Sequence, residues 1–214
     1  MDKEIKKIDW ERYNEIFPDR YLNKSYFDNI IEKTVNSFKN SNIKVLDLGG
    51  GKLGTQCLKK DNIKAYLLDP NIENIPEWMY NFTWFDNEDF DLIIARGSLN
   101  YLNDTLIKNT LTNLKTKGIF IANSFLDAPE PRVRRYKNSN SDTVGTERIN
   151  VDYNKEGKKI IKHELIPMNG DEIIKHEFFV YTINDIINLI DRENYNISFH
   201  LYGKNSYYTK IVKE

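Results

Sequence analysis

Between Ile43 and Gly54 the chain runs from a short strand, Ile43-Lys44-Val45-Leu46-Asp47-Leu48, straight into Gly49-Gly50-Gly51 and, after Lys52-Leu53, Gly54. Glycines directly after a strand let the backbone turn tightly and approach a ligand with no Cβ in the way. A short helix expected over Thr55 to Lys60 would add free N–H donors at its start. A second strand follows, Ala65-Tyr66-Leu67-Leu68, closed by Asp69-Pro70. Strand, helix, strand is the parallel crossover unit, and it commits the chain to a layered α/β sheet. The alternation continues through a third strand expected over Asn81 to Phe85, then Phe90-Asp91-Leu92-Ile93-Ile94-Ala95. A helix over Asp104 to Leu114 and the run Gly118 to Asn123 follow. Uninterrupted apolar runs such as Phe90 to Ala95 belong to strands buried on both faces.

Outside this core the patterns differ. From Ile5 to Phe38 apolar residues recur at helical spacing, interrupted by Pro18-Asp19, which predicts two amphipathic helices. Asp127 to Thr146 is polar, carries Pro129 and Pro131, and reads as a long surface loop. Ile160-Ile161-Lys162-His163-Glu164 recurs as Ile173-Ile174-Lys175-His176-Glu177 around Asn169-Gly170-Asp171, which predicts an antiparallel hairpin, with Arg148 to Tyr153 as its third strand. A helix over Ile183 to Ile190 and two alternating strands, Asn196 to Tyr202 and Ser206 to Val212, close the chain. With no linker visible, the expectation is one domain over 1–214: a helical lid (1–40), a nucleotide-binding core (41–125), a loop and β insertion (126–182), and a closing helix and hairpin (183–214).

Composition narrows the function. Lys plus Arg number 31 against 32 Asp plus Glu, a formal net charge of -1, so a polyanion would have to be met by a local patch. Cys57 is the single cysteine, which excludes an intrachain disulfide and any multi-cysteine metal site; no metal is expected. No stretch approaches the roughly 20 apolar residues of a membrane span, and the charged start of the chain has no apolar signal core. These features predict a cytoplasmic protein with no membrane partner.

The glycines need a ligand. Asp69, at the carboxyl end of the second strand, stands where adenosine-binding folds place the acceptor for ribose hydroxyls. Gly49, Gly51 and Gly54 also satisfy the GxGxxG spacing of dinucleotide sites, a weak match. Asp47 argues against that reading, because dinucleotide folds usually carry an apolar residue there, whereas a carboxylate can orient a cationic amino-acid group. The segment Val45 to Gly54 resembles motif I of the class I S-adenosylmethionine-dependent methyltransferases. Phe90 to Ala95 is similar to their fourth strand, and Leu114 to Ile121 to the turn before their fifth.

The resemblance implies a Rossmann-like seven-stranded sheet with an antiparallel terminal strand, an N-terminal helical lid and a small antiparallel β insertion. It implies S-adenosylmethionine as donor, with S-adenosylhomocysteine as product. Asp47 with Gly49, Gly50 and Gly51 would hold the amino-acid end, Asp69 and Pro70 the ribose, and Ala95, Arg96 and Gly97 the wall near the sulfonium. Trp84 and Phe85 are the candidates beside adenine, where the family's usual Gly-Asp pair is missing. Tyr13 and Tyr21, with Arg20 and Tyr26, are the lid candidates.

For the acceptor, absences carry most of the argument. The chain after the fourth strand reads Arg96-Gly97-Ser98-Leu99-Asn100-Tyr101, not the Pro-Pro-aromatic tetrapeptide of enzymes that methylate base amino groups. Cys57 stands in the wrong place for the covalent attack that base C5-methylation needs. The lid and the insertion instead resemble small-molecule methyltransferases acting at O or N. His163, His176 and Tyr101 are the catalytic candidates, with cross-strand packing as the plain alternative for the histidines. Arg132, Arg134, Arg135 and Lys137 would suit an anionic small acceptor, an RNA backbone or a solvated face. The rival readings are an RNA or cap methyltransferase, a non-catalytic donor-binding regulator and a nicotinamide dehydrogenase. Monomer and homodimer both remain open.

Overall fold

The computed structural model describes residues 26–38, 41–51, 54–70, 72–83, 88–137, 142–155, 157–170, 172–202 and 204–214. The chain divides into two compact units, which in their described parts are 26–126 with Tyr181–Glu214, and Asp127–Val180.

The first unit is an α/β sheet. Helix α1 (Tyr26–Ser37) places Phe27, Ile31 and Val35 four residues apart, so all three share one buried stripe. Strands β1 (Ile43–Leu48), β2 (Ile63–Leu68), β3 (Tyr80–Asn81) and β4 (Phe90–Ala95) follow, then helix α2 (Asp104–Thr112) and β5 (Leu114–Phe125). After the second unit the chain returns as helix α3 (Ile183–Leu189) with β10 (Tyr195–Tyr202) and β11 (Ser206–Lys213). Both short helices have strong starts. Asn103 accepts the Leu106 N–H at 2.8 Å, and Thr182 and Asp185 form a reciprocal capping box.

The sheet order is β10-β11-β5-β4-β1-β2-β3. Strand β1 pairs in parallel with both β2 and β4, β4 pairs in parallel with β5, and β11 runs antiparallel between β5 and β10. The seven-stranded arrangement with an antiparallel terminal strand agrees with the sequence expectation. One side of the sheet packs Val45, Ala65, Leu67, Leu92, Ile94 and Ile121 against the α1 stripe. The alternate residues Leu46, Ile93 and Phe120 are buried as well, which accounts for the continuous apolar runs.

The second unit is a four-stranded antiparallel sheet, β6 (Arg132–Lys137), β7 (Thr143–Tyr153), β8 (Lys159–Pro167) and β9 (Ile174–Phe179), paired in that order. The repeated pentapeptides pair as expected, with His163 opposite His176. Two expectations fail here. Asp127 to Thr146 is not a loop: Arg132 to Lys137 is an edge strand, and the next strand begins at Thr143 instead of Arg148. The reason is exposure, because an edge strand with nearly every residue in solvent has no buried face to generate an apolar alternation, and its charges blunt edge pairing.

Three core boundaries also move. The helix expected over Thr55 to Lys60 is a three-residue 3-10 turn, Gln56–Leu58, ended by a turn in which the Ile63 N–H bonds the Lys60 carbonyl. The third strand covers Tyr80–Asn81, and the expected continuation past 83 lies outside the described residues. Helix α2 ends at Thr112, so that β5 begins at Leu114, with a register shift between Phe90 and Leu92 before the long pairing. Among the described residues no helix is long and apolar enough to cross a membrane, and no cluster of His, Cys, Asp and Glu could hold a metal ion.

Because Ile31 is fully buried where α1 meets the sheet, Ile31→Ala should destabilise the protein by about 2 to 5 kcal/mol. Urea unfolding monitored by circular dichroism measures it, and a change below about 1 kcal/mol would mean that α1 does not anchor this face.

Candidate active site

The chain runs outward from β1 through β2 to β3, then crosses back to lay β4 on the other side of β1. The order therefore reverses between β1 and β4, and the carboxyl ends of those strands are the place where open α/β sheets bind ligands. The two walls there are the turn after β1 and the turn after β4.

The first wall is built by glycines in conformations that other residues resist. Gly49 has φ 66° and Gly51 φ 75°, both in the left-handed region. Gly49 donates its N–H to the Leu68 carbonyl at 2.8 Å, and Gly51 donates to Asp69 Oδ2 at 3.1 Å. A side chain on Gly50 would collide with the Asp47 carboxylate, and one on Gly49 would come within 2.7 Å of Ser98 Cβ. The second wall answers the first: the Ser98 hydroxyl donates to the Leu48 carbonyl, Gly97 has φ 74°, and the Gly97 N–H donates to Asn123 Oδ1 at 2.7 Å.

Asp47 is the electrostatic centre of this end of the sheet. It is fully buried (0% exposed), and its Oδ2 accepts the Thr55 N–H at 2.7 Å. Among the described residues no donor reaches its other oxygen. Burial raises its carboxyl above the ordinary value, while Thr55 and Arg96 act the other way and Asp69 adds to the rise. Arg96 is anchored in turn by Asp28 on α1 at 3.1 Å. A buried carboxylate with an unmet oxygen fits a ligand that carries an ammonium group.

Asp47, Gly49, Gly50, Gly51, Asp69, Ala95, Arg96 and Gly97 thus stand together at the carboxyl ends of β1, β2 and β4. Pro70 follows Asp69 at the exposed end of β2, and Tyr101 lies in a 3-10 turn, Leu99–Tyr101, just past the second wall. Tyr13, Tyr21, Trp84 and Phe85 lie outside the described residues. Cys57 sits in the turn before β2, where burial pushes its thiol up to about 11, far from a reactive thiolate.

His163 and His176 belong to the four-stranded unit. Both are buried, not surface partners, and His163 Nδ1 lies 2.9 Å from His176 Nε2. The other ring nitrogen of His163 meets Glu147 Oε1 at 3.0 Å, and Arg134 Nε donates to Glu147 Oε2. Burial by itself would raise the Glu147 carboxyl, but the bonds from His163 and Arg134 prevail and hold it at about 2. Glu147 escaped the sequence reading because it stands between the expected loop, which ends at Thr146, and the expected strand, which starts at Arg148. Its one signal was the alternation Gly145, Glu147, Ile149, all of them buried. Ser98 and Asn123 were missed for another reason: each acts through a contact distant in sequence that no local spacing announces.

Gly49→Ala should force both an unfavourable φ and a clash with Ser98, costing about 1 to 3 kcal/mol. Thermal unfolding beside Gly157→Ala, where an added Cβ meets nothing within 4 Å, separates the clash from the φ cost. Equal losses would mean the two walls are not in contact.

Comparisons place this geometry among known folds. No protein-family model matches the chain, and no curated protein sequence is significantly similar to it. Solved structures are similar over nearly all of it. One is the S-adenosylmethionine-bound amino pentose methyltransferase CalS10 from Micromonospora echinaspora, with TM-score 0.60, 9% identity and 96% of each chain covered. A second is the PH0226 protein from Pyrococcus horikoshii, with TM-score 0.61, 15% identity, and 95% of this chain and 99% of that one covered. A third is the sugar N-methyltransferase KedS8 from Streptoalloteichus, with TM-score 0.57, 11% identity, and coverage of 94% and 93%. At these identities the likeness is one of architecture, and with the sheet order and the glycine turn it gives this chain the fold of the class I S-adenosylmethionine-dependent methyltransferases.

Proposed function

We propose that this protein is an S-adenosylmethionine-dependent methyltransferase that acts on O or N of a small-molecule acceptor. The observation that carries the reading is the buried Asp47 carboxylate, one oxygen unmet, behind a glycine turn at the strand-order reversal. Asp47 would take the donor's ammonium group, Gly49 to Gly51 its amino-acid backbone, and Asp69 with Pro70 its ribose. Ala95, Arg96 and Gly97 would wall the sulfonium. The small acceptor is supported by two of the similar structures, one described as an amino pentose methyltransferase and the other as a sugar N-methyltransferase.

The donor supplies an electrophilic methyl group on a positively charged sulfur. What the chain must supply is alignment, because bringing two reactants into line accounts for much of the acceleration of such a displacement. Tyr101, in the turn after β4, is assigned the orientation of the acceptor. In the four-stranded sheet Glu147, ionised throughout the neutral range, bonds the nearer ring nitrogen of His163. An RNA acceptor is disfavoured by the same sheet: Arg134 bonds Glu147 and Arg132 lies 3.6 Å from it, which takes two charges out of a phosphate-tracking array.

Calorimetric titration with S-adenosylmethionine tests the donor site, and micromolar binding is expected. Asp47→Asn keeps an acceptor for Thr55 but removes the charge, so donor affinity should fall about tenfold or more. Because the folded-state pKa of Asp47 is raised, its ionisation opposes folding, and that penalty grows as pH rises through this raised value. Asp47→Asn should therefore unfold at pH 7 no earlier than the parent. Unchanged donor affinity in this variant would remove Asp47 from the site.

Glu147→Gln tests the Glu147–His163 pairing. The depressed Glu147 carboxyl contributes stability that is complete above the ordinary glutamate value of 4.5 and lost as pH falls toward about 2. The variant should lose that dependence. An unchanged stability profile would mean that Glu147 does not hold this pairing in the folded protein.

A further inference from the structure

The end of β5 carries a second polar arrangement beside these turns. Asn123 Oδ1 accepts the Gly97 N–H at 2.7 Å. A backbone amide can only donate, so the atom facing it is the carbonyl oxygen, and the amide nitrogen must face the other way. There it donates to the Tyr202 hydroxyl at 3.2 Å. The phenol oxygen is thus the acceptor in that bond, and its proton is left to be given elsewhere. Burial raises the Tyr202 pKa, with the Asn123 bond opposing it, so the phenol stays protonated in the neutral range.

Tyr202 is also one layer of an aromatic stack. Tyr26, the first residue of α1, lies on it with ring centres 5.4 Å apart and planes 24° from parallel. The Tyr202 ring is backed by Tyr208 at 6.4 Å, and His200 stacks on Tyr208 at 4.6 Å. Two contacts fix α1 at this place: Phe27 packs on Tyr208 at 6.2 Å, and Asp28 pairs with Arg96. Tyr26 nevertheless remains 55% exposed. An open ring held flat on a half-buried one, with an oriented hydroxyl at its edge, presents both an apolar face and a directed hydrogen bond. Core packing would use the first and bury it.

Resting on the methyltransferase reading, we propose that Tyr26, Tyr202 and Asn123 form the acceptor platform, binding a ring-shaped acceptor by its flat face on the aromatic pair and by a rim oxygen or nitrogen that accepts the Tyr202 proton. Asn123 gives the platform its registration. One end of its amide holds Gly97, the wall assigned to the sulfonium, and the other holds the hydroxyl that orients the acceptor. A saccharide ring and a planar hydroxylated heteroaromatic share this chemistry.

The test uses full-length protein with carbon-13-labelled tyrosine rings, assigned with Tyr26→Phe and Tyr202→Phe. It is titrated with glucosamine and with hydroxyquinoline, in the presence and absence of S-adenosylhomocysteine. The expected result is that the Tyr26 and Tyr202 signals shift with one of the two probes, which identifies the acceptor source. Tyr202→Phe should weaken that probe about three- to tenfold while leaving S-adenosylhomocysteine affinity unchanged. Shifts with neither probe, or a Tyr202→Phe variant that binds the probe as the parent does, overturn the platform. Failure of S-adenosylhomocysteine to bind overturns the donor reading instead, and the ring shifts in donor-free protein still decide the platform.

Discussion

The carboxylate of Asp47 is the constraint around which the carboxyl end of the sheet is arranged. Taking an ion out of water costs several kcal/mol even after relaxation, and the Thr55 hydroxyl and amide with the Arg96 charge offset it only in part, since the carboxyl stays above its ordinary value. The surroundings show the consequences. Gly50 must be a glycine because the carboxylate fills the space a Cβ would need. The chain then turns through Gly49 and Gly51 in conformations open chiefly to glycine, and the Thr55 amide comes back to the carboxylate. The loop is therefore shaped by an electrostatic demand. A ligand bringing positive charge to the unmet oxygen would relieve it, which makes binding energy and local stability two aspects of one interaction.

That demand also explains a departure from the expected layout. A helix after the glycines would have offered its free N–H groups to a ligand. Here the described part of the connection to β2 holds only a 3-10 turn, and the Thr55 amide is spent on Asp47. Among the described residues, positive polarity at this end of the sheet comes from individual N–H groups and from whatever Arg96 retains beyond its pairing with Asp28.

How much of this was legible in the sequence follows from what each element buries. Strands β1, β2, β4 and β5 were readable because burial writes long apolar runs, the terminal pair because it alternates, and the glycine turn because glycine and aspartate have few reasons to stand at strand ends. The β8–β9 hairpin was given away by its repeat. Strand β6 was not, since an exposed edge leaves no alternation to read. Asp47, Asp69 and Gly97, the residues proposed for the donor, were singled out by position along the chain. Glu147, Ser98 and Asn123 were not, because their contacts exist only across strands: Ser98 reaches back to Leu48, and Asn123 spans from Gly97 to Tyr202. Helix α1 was expected as part of a lid, but nothing local announced that its first residue would stack on a tyrosine from the far end of the chain.

These cross-strand contacts share a logic with the chemistry proposed. A methyl group passing between two bound molecules needs little from acids and bases and much from distance and angle. Ser98 fastens the turn after β4 to the end of β1, Asn123 fastens the same turn to β10 through Tyr202, and Asp28 fastens it to α1 through Arg96. Three hydrogen-bonded ties from three directions thus meet on residues 96–98. Each tie is modest, of order 1 kcal/mol, but they oppose one another in direction, so that displacing the turn toward any one strains the others. A pocket wall defined this way can be built from ordinary residues, and its rigidity comes from the closure of the three ties on one short segment.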